Sequence, residues 1–170
     1  MIITHLNGVK TISQKIYDDM LKTIDFPLLT CPHCNHTGVA VHAYYERTVR
    51  AEEEPFRLVV VRVICSSCGK THAILPDTLV PYSSITMQDT IDIIMAETPA
   101  ELDEILTRNI HLHLTELYRV KANYRRYWKE RLFSFGIALD DVVSYHCIKQ
   151  FHRQFMQIPC TLCGQFQLTT

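Results

Sequence analysis

Two short cysteine pairs constrain this sequence more than any other feature. The first pair is Cys31 and Cys34, the second is Cys65 and Cys68, and two residues separate the cysteines of each pair. A tight turn with this spacing directs two sulfurs at one ion, and two such turns complete the tetrahedral four-thiolate site that structural Zn²⁺ prefers. The sequence therefore predicts one Zn²⁺ bound by all four cysteines.

The residues around the pairs support this interpretation. Asn35 and Gly69 directly follow the two pairs, and both residue types tolerate the left-handed backbone that such a turn needs. Three histidines (His33, His36 and His72) lie near the cysteines in sequence. Because four thiolates fill the coordination sphere, we expect these histidines to support the site rather than bind the ion.

The segment between the pairs predicts a β-hairpin. Residues 39–49 and 56–65 are rich in β-branched and aromatic residues, and the polar stretch 50–55 separates them. Residues 71–75 predict a third strand. The thirty residues between the pairs exceed the usual spacing of roughly fifteen to twenty, and a long hairpin accounts for the excess. We predict a zinc ribbon over residues 27–82.

A third pair, Cys160 and Cys163, lies near the C-terminus. One interpretation is a second Zn²⁺ site that this pair forms with Cys147 and His152 of a predicted helix. Another is a metal shared between two copies of the chain in a homodimer, and a third is a set of buried free thiols. A nucleobase deaminase would also need an H-x-E motif, which the histidines do not supply. Thioredoxin-like chemistry would need a βαβ setting, whereas the flanking sequence predicts a helix.

Beyond the ribbon the hydrophobic period lengthens from two to about 3.6, which indicates helices. Capping patterns predict helix starts at Thr86 and Thr98. A turn and then a long helix follow, and the long helix is predicted to continue to about Phe135 and to end at Gly136. This order is typical of a helix-turn-helix, which we predict over residues 83–136.

The two ends of the chain are predicted to be helical as well. Residues 1–26 form an N-terminal segment with a packing helix over residues 11–23. Residues 137–170 hold a last helix, capped by Asp140 and extending to about Met156, and then the terminal cysteine pair. The predicted fold class is α+β, with a small β zinc ribbon followed by an α-helical, helix-turn-helix-like region.

The long predicted helix is strongly basic. A face of this kind neutralises phosphates, and its arginines read guanine edges in the major groove of double-stranded DNA. The same side chains also fit a solvated surface or an acidic protein partner. The candidate DNA-binding residues are Arg119, Lys121, Arg125, Arg126, Lys129 and Arg131.

The residues from Cys31 to Ile94 resemble an uncharacterised family of bacterial zinc-ribbon proteins associated with transposons. That family looks like the DNA-binding front end of insertion-sequence transposases. The strings THAILP (residues 71–76) and VPY (residues 80–82) are the most distinctive part of the resemblance. It implies Zn²⁺ at the four cysteines and a DNA-binding or transposition-related role.

Other function classes fit the sequence less well. A DDE-type transposase needs three metal-binding carboxylates on a further core, and after Gly136 only Asp140 and Asp141 are acidic. The sequence contains no run of eighteen apolar residues, the length that a membrane-spanning helix needs. A cytoplasmic protein is therefore expected. We expect a non-catalytic, zinc-dependent DNA-binding accessory or regulatory protein of a mobile element, whose ribbon touches phosphates through Arg50, Arg57 or Arg62.

The alternative is a protein-interaction module. Residues 75–107 hold seven acidic residues and no lysine or arginine, within a chain of net charge −1. In this hypothesis the ribbon and the acidic segment dock a transposase, polymerase or nuclease.

Overall fold

The computed structural model describes residues 1–6, 11–50 and 54–157. Within them the chain is a mixed α+β protein with one four-stranded sheet and six α-helices. No helix in these ranges is both long and apolar enough to cross a membrane. The strands are β1 (Ile2–Thr4), β2 (Val39–Arg50), β3 (Pro55–Cys65) and β4 (Thr71–Pro76). The helices are α1 (Gln14–Lys22), α2 (Met87–Met95), α3 (Pro99–Arg108), α4 (Leu114–Tyr127), α5 (Lys129–Ser134) and α6 (Val143–Phe151), and a short 3₁₀ helix spans Phe26–Leu28.

The sheet has the strand order β1-β4-β3-β2. The long β2–β3 hairpin pairs antiparallel from Val39 opposite Cys65 to Arg50 opposite Pro55, which confirms the predicted hairpin. The predicted third strand is β4, antiparallel to β3. The parallel strand β1 was not predicted, and it brings the N-terminal segment into the same sheet.

Helix α1 lies against the part of β3 that extends beyond the pairing of β3 with β4. The Gln14 side chain accepts from the backbone N–H of Val59 at 2.8 Å and donates to its carbonyl at 3.3 Å. The Tyr17 hydroxyl accepts from the N–H of Val61 at 3.0 Å and donates to the carbonyl of Ile74 at 2.9 Å. Both side chains of α1 thus bind backbone groups beyond the end of the β3–β4 pairing, and Tyr17 satisfies two groups that are buried.

Two of the helix starts agree with the capping patterns. The Thr86 hydroxyl accepts from the backbone N–H of Asp89 at 3.1 Å, at the start of α2. Thr98 and Glu101 form a reciprocal capping box at the start of α3. These local interactions fix where both helices begin.

The prediction of one long helix to Phe135 was wrong, because the helix breaks at Trp128. Helix α4 ends before this residue and α5 begins after it. The Trp128 side chain is only 1% exposed and meets the rings of Phe155 and Phe151 edge-on, at centroid distances of 5.5 and 6.2 Å. Burial of the indole in this aromatic cluster decides the path of the chain. The predicted end at Gly136 is confirmed by its left-handed backbone, with φ of 60°.

The last helix is shorter than predicted. It begins after Val142 instead of Asp140 and ends at Phe151 instead of Met156. Phe155 and Met156 lie beyond the helix and are buried in the core. The helix ends at His152, whose backbone is left-handed with φ of 52°, and the chain then turns so that both side chains lie in the core.

An ion pair joins the sheet to the helices. The guanidinium of Arg50 at the end of β2 binds both carboxylate oxygens of Glu116 in α4, at 2.7 and 2.6 Å. It also donates to the carbonyl of His111 and the hydroxyl of Ser84, both at 2.8 Å. Arg50 was expected to touch phosphates, whereas the structure uses it to fix α4 against the hairpin.

Candidate metal centre

The four predicted cysteines lie together at one end of the sheet. Their Sγ atoms all fall within 4.8 Å of one another. The Sγ atoms of Cys31 and Cys68 are 3.7 Å apart, as are those of Cys34 and Cys65. Tetrahedral Zn–S bonds of about 2.3 Å place two sulfurs about 3.8 Å apart, whereas a disulfide needs about 2.05 Å. The spacing fits a four-thiolate metal site.

Two matched turns present the sulfurs. The backbone N–H of Asn35 donates to the carbonyl of Cys31 at 2.9 Å, and that of Gly69 donates to the carbonyl of Cys65 at 3.1 Å. Asn35 and Gly69 have φ of 58° and 66°. Both residues thus adopt the left-handed backbone that the sequence predicted for them.

A direct contact between the turns was not predicted. Ser66 donates to the carbonyl of Gly38 from its backbone N–H at 3.3 Å and from its hydroxyl at 3.1 Å. Gly38 has φ of 122°, and a Cβ atom there would lie 3.4 Å from the Ser66 hydroxyl. Gly38, four residues after Cys34, is the only sign of this contact in the sequence. The contact could not be predicted from it, because the partner residue, Ser66, lies far along the chain.

His72 supports the site from beside it. Its Nε2 lies 3.2 Å from the Sγ of Cys31, and the residue is only 8% exposed. Burial, followed by repulsion from the amino terminus, lowers the pKa of His72 to about 4. A neutral ring in this position can donate its Nε2–H to a thiolate, which holds the ligand in place. His33 and His36 are exposed.

The turns also stabilise a thiolate directly. Hydrogen bonds from the backbone N–H groups of Cys68 and Ser67 lower the pKa of Cys65 to about 6, against the opposing effect of burial. The thiolate is the form that binds metal. The backbone therefore favours the thiolate of Cys65, whereas, against a backbone hydrogen bond at His36, burial and hydrogen bonds to the other three cysteines raise the pKa of Cys34 to about 12.

The second predicted metal site is only partly covered by the structure. Cys147 on α6 is fully buried in the helical core, and burial raises the pKa of its thiol to about 12. His152 ends α6 in a left-handed conformation, with φ of 52°. Cys160 and Cys163 lie outside the described residues, so this site stays a prediction.

The six candidate DNA-binding residues do not share one face. Lys121 is half-buried and donates to the carbonyls of Ile94 and Ala96 at the end of α2. Arg131, on α5, lies 5.8 Å from the centroid of the Trp128 ring. These two side chains make internal contacts that stabilise the helices. The four exposed members are Arg119, Arg125, Arg126 and Lys129.

Fold and site together define a mixed α+β protein with a four-cysteine cluster that could hold one metal ion, consistent with zinc. Residues 31–112 match a family described as a domain of unknown function (DUF6431). The matched stretch contains the four cysteines, the hairpin, α2 and α3. No curated protein and no solved structure matches the chain.

Proposed function

We propose that this protein is a zinc-dependent, non-catalytic DNA-binding accessory or regulatory protein of a mobile element. In this proposal the cysteine cluster and the β-hairpin form a zinc ribbon, and α2 to α4 form a helix-turn-helix-like unit. The resemblance to transposon-associated zinc-ribbon proteins supports the biological setting. The observation that carries the proposal is the exposed surface of α4.

The exposed stripe of α4 consists of Thr115, Arg119, Ala122 and Arg126. These residues are four, three and four positions apart, so they follow one side of the helix. The opposite side packs into the core through its buried residues, such as Leu117. The small side chain of Ala122 between two arginines permits close approach to a groove floor. The arginines fit phosphate contacts and bidentate contacts to guanine.

The metal has a structural part in this proposal. Four thiolates leave no open position for water or substrate. Zinc would instead fix the hairpin, whose far end carries Arg50 and, through it, the start of α4. Removal of the ion should therefore release α4 from its position on the sheet.

The decisive experiment measures duplex binding by the zinc-loaded protein over a salt series. Fluorescence anisotropy would compare the wild type with Arg119→Ala/Arg126→Ala. Each lost phosphate contact should reduce the slope of log K against log salt by about 0.9. If both arginines contact phosphates, the double variant loses a slope of about 1.8 and binds more weakly at every salt concentration.

Lys15→Ala/Lys22→Ala is the matched control, because both lysines are exposed on α1, which is not part of the proposed DNA-binding unit. It removes the same charge from another surface and should leave the slope unchanged. Equal effects of the control and the α4 variant would show that binding depends on net charge alone. If the wild type does not bind duplex DNA at low salt, the proposal is wrong.

One observation favours the protein-interaction alternative. A cleft of about 600 Å³ lies between the α2–α3 connection and α4. Its lining combines the apolar side chains of Met95 and Leu139 with the basic ones of Arg125 and Lys129 and with one carboxylate, that of Glu97. Such a cleft suits an acidic, partly apolar segment of a partner protein. Excess duplex DNA at physiological salt would compete with this partner only if both use the same surface.

A further inference from the structure

A second surface with polar and aromatic chemistry lies on the sheet, next to the exposed stripe of α4. A groove of about 700 Å³ opens beside β2 and β4 and is bordered by the loop that follows β4. Among the residues that line it are Tyr45, Arg47, Arg62 and Tyr82, and none of the described lining residues is acidic. A groove of this size accommodates a small organic ligand, and its charge favours an anion.

Tyr82 is the most unusual residue of the groove. Its side chain is 80% exposed, and its backbone is left-handed with φ of 61°. This conformation is unfavourable for a bulky residue and persists only where the surrounding structure imposes it. Since the exposed ring adds little to the core, folding alone does not account for a tyrosine here.

The neighbouring residues hold Tyr82 rigidly. Arg47 donates to the carbonyls of Val80 and Ser83, which flank the tyrosine on both sides. The backbone N–H of Arg50 donates to the carbonyl of Ser84 at 2.8 Å. The loop is therefore bound to β2, and the tyrosine ring projects from a fixed base.

The strands contribute a second aromatic group and a cation to the same groove. The guanidinium of Arg62 lies 5.1 Å from the centroid of the Tyr45 ring. Arg62 itself is exposed. Stacking orients the planar guanidinium, and its N–H groups can still bind the oxygens of a phosphate. Exposed aromatic rings next to arginine are how proteins bind unpaired nucleotides.

We propose that this groove binds an unpaired nucleotide of a DNA strand, with the base stacked on Tyr82 and the phosphate bound by Arg62. The inference rests on the proposed function and extends it from duplex to single-stranded DNA. Tyr82 also lines a smaller cavity of about 320 Å³ together with Arg119 and Asn123 of α4. A strand that leaves a duplex bound on α4 would thus meet the groove directly.

The test is the affinity of the zinc-loaded full chain for labelled oligo(dT), measured by fluorescence anisotropy at low salt. Loss of base stacking should make Tyr82→Ala bind at least about fivefold more weakly. Tyr82→Phe keeps an aromatic face and should bind within about twofold of the wild type. Arg62→Ala should reduce the salt slope by about 0.7, the value for one phosphate of a single strand.

Tyr44→Ala is the matched control. Tyr44 is 63% exposed on the neighbouring position of β2 but does not line the groove. Its removal should leave oligo(dT) binding unchanged. Equal losses for Tyr44→Ala and Tyr82→Ala would overturn the proposal, and so would a wild-type protein that does not bind oligo(dT). Zinc content and far-ultraviolet circular dichroism would confirm that each variant is folded.

The measurements distinguish failure of the duplex-binding proposal for α4 from failure of the groove proposal. A Tyr82→Ala variant that loses its affinity for oligo(dT) but keeps its affinity for duplex DNA would support the groove as a distinct site. If the wild type binds duplex DNA but not oligo(dT), only the groove proposal is wrong. If it binds oligo(dT) through Tyr82 but no duplex, the groove proposal stands and the role of α4 is wrong.

Discussion

The bidentate pair of Arg50 and Glu116 gives the sharpest prediction, because it joins the two parts of the fold. The side chains are 23% and 13% exposed. Fully exposed pairs contribute about 0–1 kcal/mol, whereas removing one partner of a buried pair costs about 3–5 kcal/mol. The partial burial here places Glu116→Ala between these limits, at about 2–3 kcal/mol. Arg50 would keep its hydrogen bonds to His111 and Ser84 but lose its counter-charge.

Glu116 has a second role that has to be separated from the pair. It also accepts from the backbone N–H of His113 at 3.1 Å and so caps α4. A double-mutant cycle of Arg50→Ala and Glu116→Ala removes this capping contribution, since it is present in both Arg50 backgrounds. We expect a coupling free energy of about 1–2 kcal/mol.

Urea denaturation of the zinc-loaded variants, followed by circular dichroism, would measure the four free energies of unfolding. The pairing of Arg57 with Glu46 on the hairpin provides the control cycle, because those side chains are 74% and 57% exposed. That cycle should give about 0.5 kcal/mol or less. A coupling of the same small size for Arg50 and Glu116 would refute the reasoning, because the pair would then contribute no more than a surface contact.

The remaining predictions concern the metal, the pH dependence and α1. Cys65→Ser should lose the zinc of the four-cysteine site and the stability of the hairpin, whereas Cys147→Ser should keep the zinc of that site, as native mass spectrometry would show. A fully metallated Cys65→Ser protein would contradict the four-thiolate site. Hydrogen bonds from Arg50 hold the pKa of Glu116 below its ordinary value of 4.5, so the stabilisation is present above that value and is lost as the pH falls through the folded-state pKa. The difference in melting temperature between the wild type and Glu116→Gln should shrink over that window, and a constant difference would argue against the assignment. Tyr17→Phe should cost about 2–3 kcal/mol in urea denaturation, because two buried backbone groups lose their partner. An effect below about 0.5 kcal/mol, the size expected of a surface substitution, would show that water replaces the hydroxyl.

The features that were predicted correctly have local signals. The hairpin, β4 and two helix starts follow from side-chain period and capping residues within a few positions of each element. The cysteine cluster follows from spacing alone, because a C-x-x-C turn brings two ligands together before any long-range contact forms. Even the left-handed residues after each pair were recognisable from their type.

The features that were missed depend on contacts far apart in sequence. Strand β1 is only three residues long, and its partner in β4 lies some seventy positions away. The break at Trp128 has no glycine or proline to mark it, and it follows from packing of the indole against Phe151 and Phe155. The sequence showed that Lys121 and Arg50 are basic but not that carbonyls and a carboxylate of the same chain bind them.

The acidic segment of residues 75–107 bears on which kind of partner the protein binds. Four of its seven acidic side chains already have partners inside the fold, either backbone N–H groups at a turn or helix start or a cation of the same chain. These four are Asp77, Asp89, Asp92 and Glu101. A partner that used them would have to break a cap or an ion pair, which offsets much of what the new contact contributes. The segment therefore makes a weak docking surface despite its composition. The protein-interaction alternative depends instead on the cleft beside Arg125, whose lining holds three cations (Lys121, Arg125 and Lys129) against one carboxylate, that of Glu97.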